Sequence, residues 1–304
     1  MLPEIARRRR YYARKLPGTS PLSSELERTL SLNDLLRDAE AERSLQPWLG
    51  IFEHATLATF TLNSAFEDLH QDTKAPATAW LLIGRVTQFA IALHRLLKSG
   101  LGEPARVIAR SLVETVEVAV IATFDHNFAA ELFAAIDGKE STRFWAQCIG
   151  YGKATRRVDE IVALLDIEIE TLEYWSATRR HLKHVLSGSV HTSARAAFWG
   201  GLTTSLQQPG KLMFTPLGWH ALGAPQLLYI ASEELHRFLT TILRLLMLDK
   251  PPELFSSAKA TYERFRPVFI ELLTLQTTLD RHAKAAENLR TSPHKLKPKY
   301  NRTA

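Results

Sequence analysis

The stretch Pro104–Phe124, PARVIARSLVETVEVAVIATF, decides the fold. Wound at 3.6 residues per turn, Ile108, Leu112, Val116, Ala119 and Val120 cover most of its circumference, which predicts a central helix buried on nearly every side. One polar strip interrupts it, made of Arg106, Arg110, Glu114 and Glu117. Pro104 suits the first turn, where a missing N–H costs nothing. The most apolar runs in the chain, Val116–Phe124 and Phe238–Leu248, fall short of the roughly 18–20 residues that a bilayer span needs. No membrane span is expected.

Working upstream, Pro76 opens a helix whose Leu82, Val86, Phe89, Leu93 and Leu96 keep the 3.6 period until Ser99-Gly100-Leu101-Gly102 ends it. Pro47 is predicted to start another, to about His70, with Trp48, Phe52, Thr59, Phe66 and Leu69 facing inward. Ser24-x-x-Glu27 forms a capping box for a helix to about Arg43, carrying Leu26, Leu30 and Leu36. Downstream, a helix from Phe128 ends near Asp137-Gly138. Another runs from Ser141 to Leu165 with a break near Gly150-Tyr151-Gly152, and a third spans about Glu168 to Leu186. From Ser187 to about Pro225 the helical period is lost. There Gln208-Pro209-Gly210, between two short extended runs, reads as a hairpin. Helices resume from Gln226 to Leu248 and, past Pro251-Pro252, to Leu289. The prediction is a mainly α, multi-helix bundle with one short β-hairpin near 202–215. It forms a single helical domain over 21–289, flanked by basic tails at 1–20 and 290–304.

The chain has 304 residues, of which 45% are hydrophobic and 23% charged, an ordinary globular balance. Its net charge of +6 is unevenly placed. Arg7 to Arg10, Arg14 and Lys15 against Glu4 give the first 15 residues +5. Arg290, Lys295, Lys297, Lys299 and Arg302 give the last 15 another +5, which leaves the body at −4. Nucleic acid is therefore a candidate partner through the tails, by weak, salt-sensitive attraction, with homo-oligomerisation open. No apolar run follows Arg7–Arg10, so export is not expected and a cytoplasmic location is. The single cysteine, Cys148, precludes an internal disulfide and reads as a small buried hydrophobe in its aromatic surroundings.

The densest cluster of reactive side chains is Arg179-Arg180-His181-Leu182-Lys183-His184, continuing through Ser187 to His191. Leu172, Trp175, Leu182 and Leu186 make one apolar face, and Arg179 falls inside it with Lys183 beside it. A buried guanidinium needs a partner, since an unpaired buried charge costs several kcal/mol (roughly 3–5). The strip Arg110, Glu114 and Glu117 is one source, which gives a structural salt bridge or a polar site where two helices meet. Glu67-x-x-His70 and Glu233-x-x-His236 carry the spacing used by di-metal bundles. Their placement on helix ends and polar faces argues against a metal site. No cofactor is expected: there is no phosphate-binding Gly loop, no zinc spacing and no Gly-x-Ser-x-Gly elbow.

Ala109-Arg110-Ser111-Leu112-Val113-Glu114, followed by Leu186-Ser187-Gly188-Ser189-Val190-His191, resembles an uncharacterised bacterial all-helical family. Its members carry Ala-Arg-x-Leu-x-Glu and Leu-Ser-x-x-Val-His motifs, and the similarity covers roughly residues 75–250. That resemblance implies a helical fold with two polar motifs and no particular reaction. Arg179 and His184, four residues between them, also resemble the signature of HEPN-type nucleases, helical RNases of toxin and antiviral systems. This implies metal-independent RNA cleavage with His184 or His191 as general base and Arg179 stabilising the phosphorane. Two readings stand. One is a helical binding or regulatory protein with a polar pocket that includes Arg110, Glu114, Lys183 and Ser187. The alternative is an HEPN-like ribonuclease with Arg179, His184 and His191 as catalytic residues.

Overall fold

The computed structural model describes residues 39–67, 69, 74–99, 101–135, 137–190, 202–204, 212–214, 224–255 and 262–291. The chain divides after Ser44 into two units. Of the first, only 39–44 are described, as the opening turns of a helix. All other described residues belong to the second. The elements are α1 (Ala39–Phe66), α2 (Lys74–Lys98), α3 (Gly102–Phe124), α4 (His126–Ala134), α5 (Gly138–Phe144), a π-helical turn (Trp145–Ile149), α6 (Lys153–Val162), α7 (Ile169–Val190), β1 (Leu202–Thr204), β2 (Leu212–Phe214), α8 (Ala224–Leu246), a 3-10 turn (Glu253–Phe255) and α9 (Tyr262–Thr291).

The protein is mainly α, and α3 is its centre. It packs against α2, α4, α6, α7, α8 and the 253–255 turn. Leu112, Val113, Val116, Val120 and Ile121 are all buried, each side chain of this kind contributing about 1.5–3 kcal/mol. The outer wall closes with rings: Phe66 of α1 meets Phe255 and Phe265 edge-on at 5.8 and 5.6 Å. Leu228, Leu235, Leu239 and Ile242 of α8 bury the other side.

Several boundaries differ from those predicted. Pro47 lies inside α1 rather than at its start. An interior proline costs about 3 kcal/mol, and the burial of Trp48, Leu49, Phe52 and Ala55 just beyond it offsets that. The predicted helix end at Ser187-Gly188 is absent, because α7 continues to Val190. A glycine costs a helix only about 1 kcal/mol, and the Ser187 hydroxyl donates to the Lys183 carbonyl one turn back at 2.6 Å. The break near residue 150 is present and sharp. Asp137 caps α5, a π turn comes next, and Tyr151 and Gly152 take φ of 57° and 77° before α6 begins.

A continuous hairpin over 202–215 is not part of the described fold. Leu202–Thr204 and Leu212–Phe214 pair antiparallel, Leu202 opposite Phe214, and the residues that would join them fall outside the described set. So do the tails 1–20 and 292–304 and the capping box at Ser24 and Glu27. Among the described residues there is no clear membrane span. Helix α2 alone passes on length and composition, with a mean hydropathy of 1.2, and its Ile83, Val86, Ala90 and Leu93 belong to the common core.

Candidate functional site

The polar centre of the molecule is built where α3, α6, α7 and α8 meet, and each helix contributes charge to an otherwise apolar interior. Arg179 of α7 is 3% exposed and Glu234 of α8 fully buried. The Arg179 Nε donates to Glu234 Oε1 at 3.2 Å. Arg179 also lies 3.8 Å from Asp159 Oδ1 of α6. On the other side of Glu234, Arg237 approaches Oε2 at 3.5 Å and also reaches Glu233 at 3.5 Å. Glu233 in turn accepts from the Tyr229 hydroxyl at 2.7 Å. The Arg237 guanidinium sits over the Tyr174 ring, 5.4 Å from its centroid, a favourable cation–π placement.

One turn along α7, Lys183 makes a second node. Its Nζ lies 2.7 Å from Glu117 Oε2 and donates to Thr155 Oγ1 at 2.8 Å. The Thr155 hydroxyl donates to Glu117 Oε1 at 2.8 Å. Glu117 is 1% exposed. Burial alone pulls the Arg179 pKa down, but Glu234, Glu117 and Asp159 together outweigh it and hold the guanidinium above its ordinary value. The cation is thus locked in its charged form by three carboxylates.

This network ends at solvent in a cleft of 360 Å³ between α6 and α7, lined by Asp159, Val162, Leu172, Trp175, Ser176 and Arg180 among others. The Ser176 hydroxyl donates to Asp159 Oδ2 at 2.9 Å. Arg180, largely exposed, donates to the Ser176 oxygen at 2.6 Å and to Asp159 at 3.4 Å. The cleft is therefore lined by both apolar residues, Val162, Leu172 and Trp175, and polar ones, Asp159, Ser176 and Arg180, and the buried charge network backs it. Its size is that of a small-molecule pocket.

Of the described predicted site residues, Arg179 and Lys183 lie in the buried network, whereas Arg110, Glu114 and His184 do not join it. Arg110 and Glu114 pair with each other at 2.8 Å along α3, so Glu114 is not the partner of Arg179. Glu117, on the same strip, is the residue that reaches α7, through Lys183. Arg179 is buried and His184 exposed. On the unbroken α7 they lie about 140° apart, so no helix end brings them together. Ser187 is spent on the Lys183 carbonyl, and His191 and His70 lie outside the described residues. Glu233 is held by Tyr229 and Arg237 rather than by His236, and the described residues contain no group of three metal-capable side chains. Glu234, Asp159, Thr155 and Arg237 are the members that the sequence reading missed. Glu234 had a signal. It sits at i+3 and i−4 from Ala231 and Phe238, a carboxylate in an apolar stripe just as Arg179 is a cation in one.

No family model, curated protein or solved structure matches the chain. The site is known by its geometry alone.

Proposed function

We propose that this chain is a helical binding or regulatory protein of bacterial type, acting in the cytoplasm. Its ligand is a small molecule held in the cleft between α6 and α7. The observation that carries this reading is a 360 Å³ cleft lined by the polar Asp159, Ser176 and Arg180 together with the apolar Trp175, Leu172 and Val162. Arg179 behind it is buried and held by carboxylates, so it serves as foundation. Arg180 also pairs with Asp159 but is largely exposed. A ligand with an acidic group for Arg180 and an apolar body for Trp175 fits best.

The ribonuclease alternative needs Arg179 and a histidine on one phosphate. Arg179 is occupied by carboxylates and His184 points elsewhere on the helix, which favours the binding reading; His191, the other candidate base, lies outside the described residues. Thermal-shift titration with small apolar carboxylic acids, benzoate, free phenylalanine and free leucine among them, tests the proposal. A rise in Tm that Arg180→Ala reduces supports it, and the absence of any rise at millimolar probe removes it.

A further inference from the structure

A second feature lies away from the cleft, at the junction of α5 and α6. Trp145 and Tyr151 are both large, aromatic and exposed, 48% and 80% respectively, and their ring centroids stand 5.7 Å apart, tilted by 60°. The backbone holds them there at a cost. Tyr151 is the described non-glycine residue with positive φ, at 57°, a conformation that a side chain with a Cβ disfavours. Trp145 opens a π-helical turn, itself a departure from α geometry that recurs at functional sites.

Gly150 completes the arrangement. A Cβ there would meet the Trp145 ring at 2.8 Å, so glycine at this position lets the indole lie down onto the backbone. A buried core would explain such strain by packing, but these rings face solvent. The flanking sequence carries more basic than acidic residues. Lys139, Arg143 and Arg156 are exposed, Lys153 Nζ is bonded to the Ala146 carbonyl, and exposed Asp137 and Glu140 oppose them.

We infer that Trp145 and Tyr151 form a stacking platform for single-stranded nucleic acid. The two rings take the bases, and the exposed basic residues that flank them in sequence hold the phosphates. Stacking on aromatic faces is tolerant of sequence, and neighbouring cations supply a salt-dependent component. The platform is on the folded body, separate from the basic tails and from the cleft.

Fluorescence anisotropy of labelled 15-mers of uridylate and thymidylate, with the full chain at low and moderate salt, tests it. The wild type is expected to bind single strands more tightly than a duplex of equal length, with affinity falling as salt rises. Trp145→Ala and Tyr151→Gly are each expected to weaken binding about tenfold. Gly150→Ala, which keeps both aromatics but displaces the indole, is expected to weaken it as well. Tyr151→Gly separates function from stability. Glycine accepts φ of 57° without strain, so this variant melts no lower than wild type while losing binding. No binding of either 15-mer, equal binding of the duplex, or full affinity in Trp145→Ala and Tyr151→Gly overturns the inference.

Discussion

Arg179 on α7 and Glu234 on α8 meet at 3.2 Å with both side chains buried, and this contact ties the two helices that flank α3. Neither residue is tolerable in the core alone. Breaking one side of a buried pair costs about 3–5 kcal/mol, whereas replacing both with apolar residues of similar size is near neutral. Arg179→Met and Glu234→Leu are each expected to destabilise by that amount in urea titrations. The double variant is expected to recover most of the loss, because Arg237 keeps Glu233 and Asp159 keeps Ser176 and Arg180.

The Lys183 node makes a graded prediction. Lys183→Met leaves the buried Glu117 without its cation, with the Thr155 hydroxyl still donating to it, and is expected to cost about 3 kcal/mol. Thr155→Val removes one neutral hydroxyl and is expected to cost about 1 kcal/mol. His184→Ala, at an exposed position of the same helix, is expected to change stability by no more than about 0.5 kcal/mol. Chemical denaturation of the three variants orders them.

Acid sensitivity arises at His236. Burial, reinforced by Arg237 and opposed by Asp280, lowers its pKa to about 4 from 6.5. The folded state therefore favours the neutral ring, and the unfolded chain takes up the proton first. Stability from this residue is complete above about pH 6.5 and is lost as pH falls toward 4, up to roughly 3 kcal/mol. His236→Leu is expected to flatten that part of the stability–pH curve, measured by urea unfolding between pH 4 and 7.

Much of the helical frame was legible in the sequence because periodicity reports burial directly: α3 reads as central from its apolar circumference, and Arg179 as buried from its place in an apolar stripe. What the sequence could not show was which carboxylate Arg179 meets. Glu114 and Glu234 are both suitable by residue type, and the apolar stripe around Glu234 marks it as buried without naming its partner. The choice depends on the rotation of α3, which turns Glu117 toward α7 and leaves Glu114 to Arg110. Breaks were harder to read than periods. Pro47 looks like a start and Gly188 like a stop, yet within a helix each costs only a few kcal/mol or less, an amount that packing or a side-chain hydrogen bond offsets. The break at Gly150 was legible because glycines flank Tyr151, where two residues in succession take positive φ.

Whether the α6–α7 cleft holds a ligand is tested most directly by a plug. Ala177 lines the cleft and is exposed, so Ala177→Trp fills the space without touching the buried ion pairs. Thermal-shift measurements with the carboxylic-acid panel are made on both proteins. At least one probe is expected to raise the wild-type Tm, by about 5 °C at 100 times its Kd, while Ala177→Trp melts like the wild type but does not respond. No response from the wild type at 10 mM of any probe (about 10 mM being a weak-binding limit), or an undiminished response from Ala177→Trp, would contradict a ligand site in this cleft.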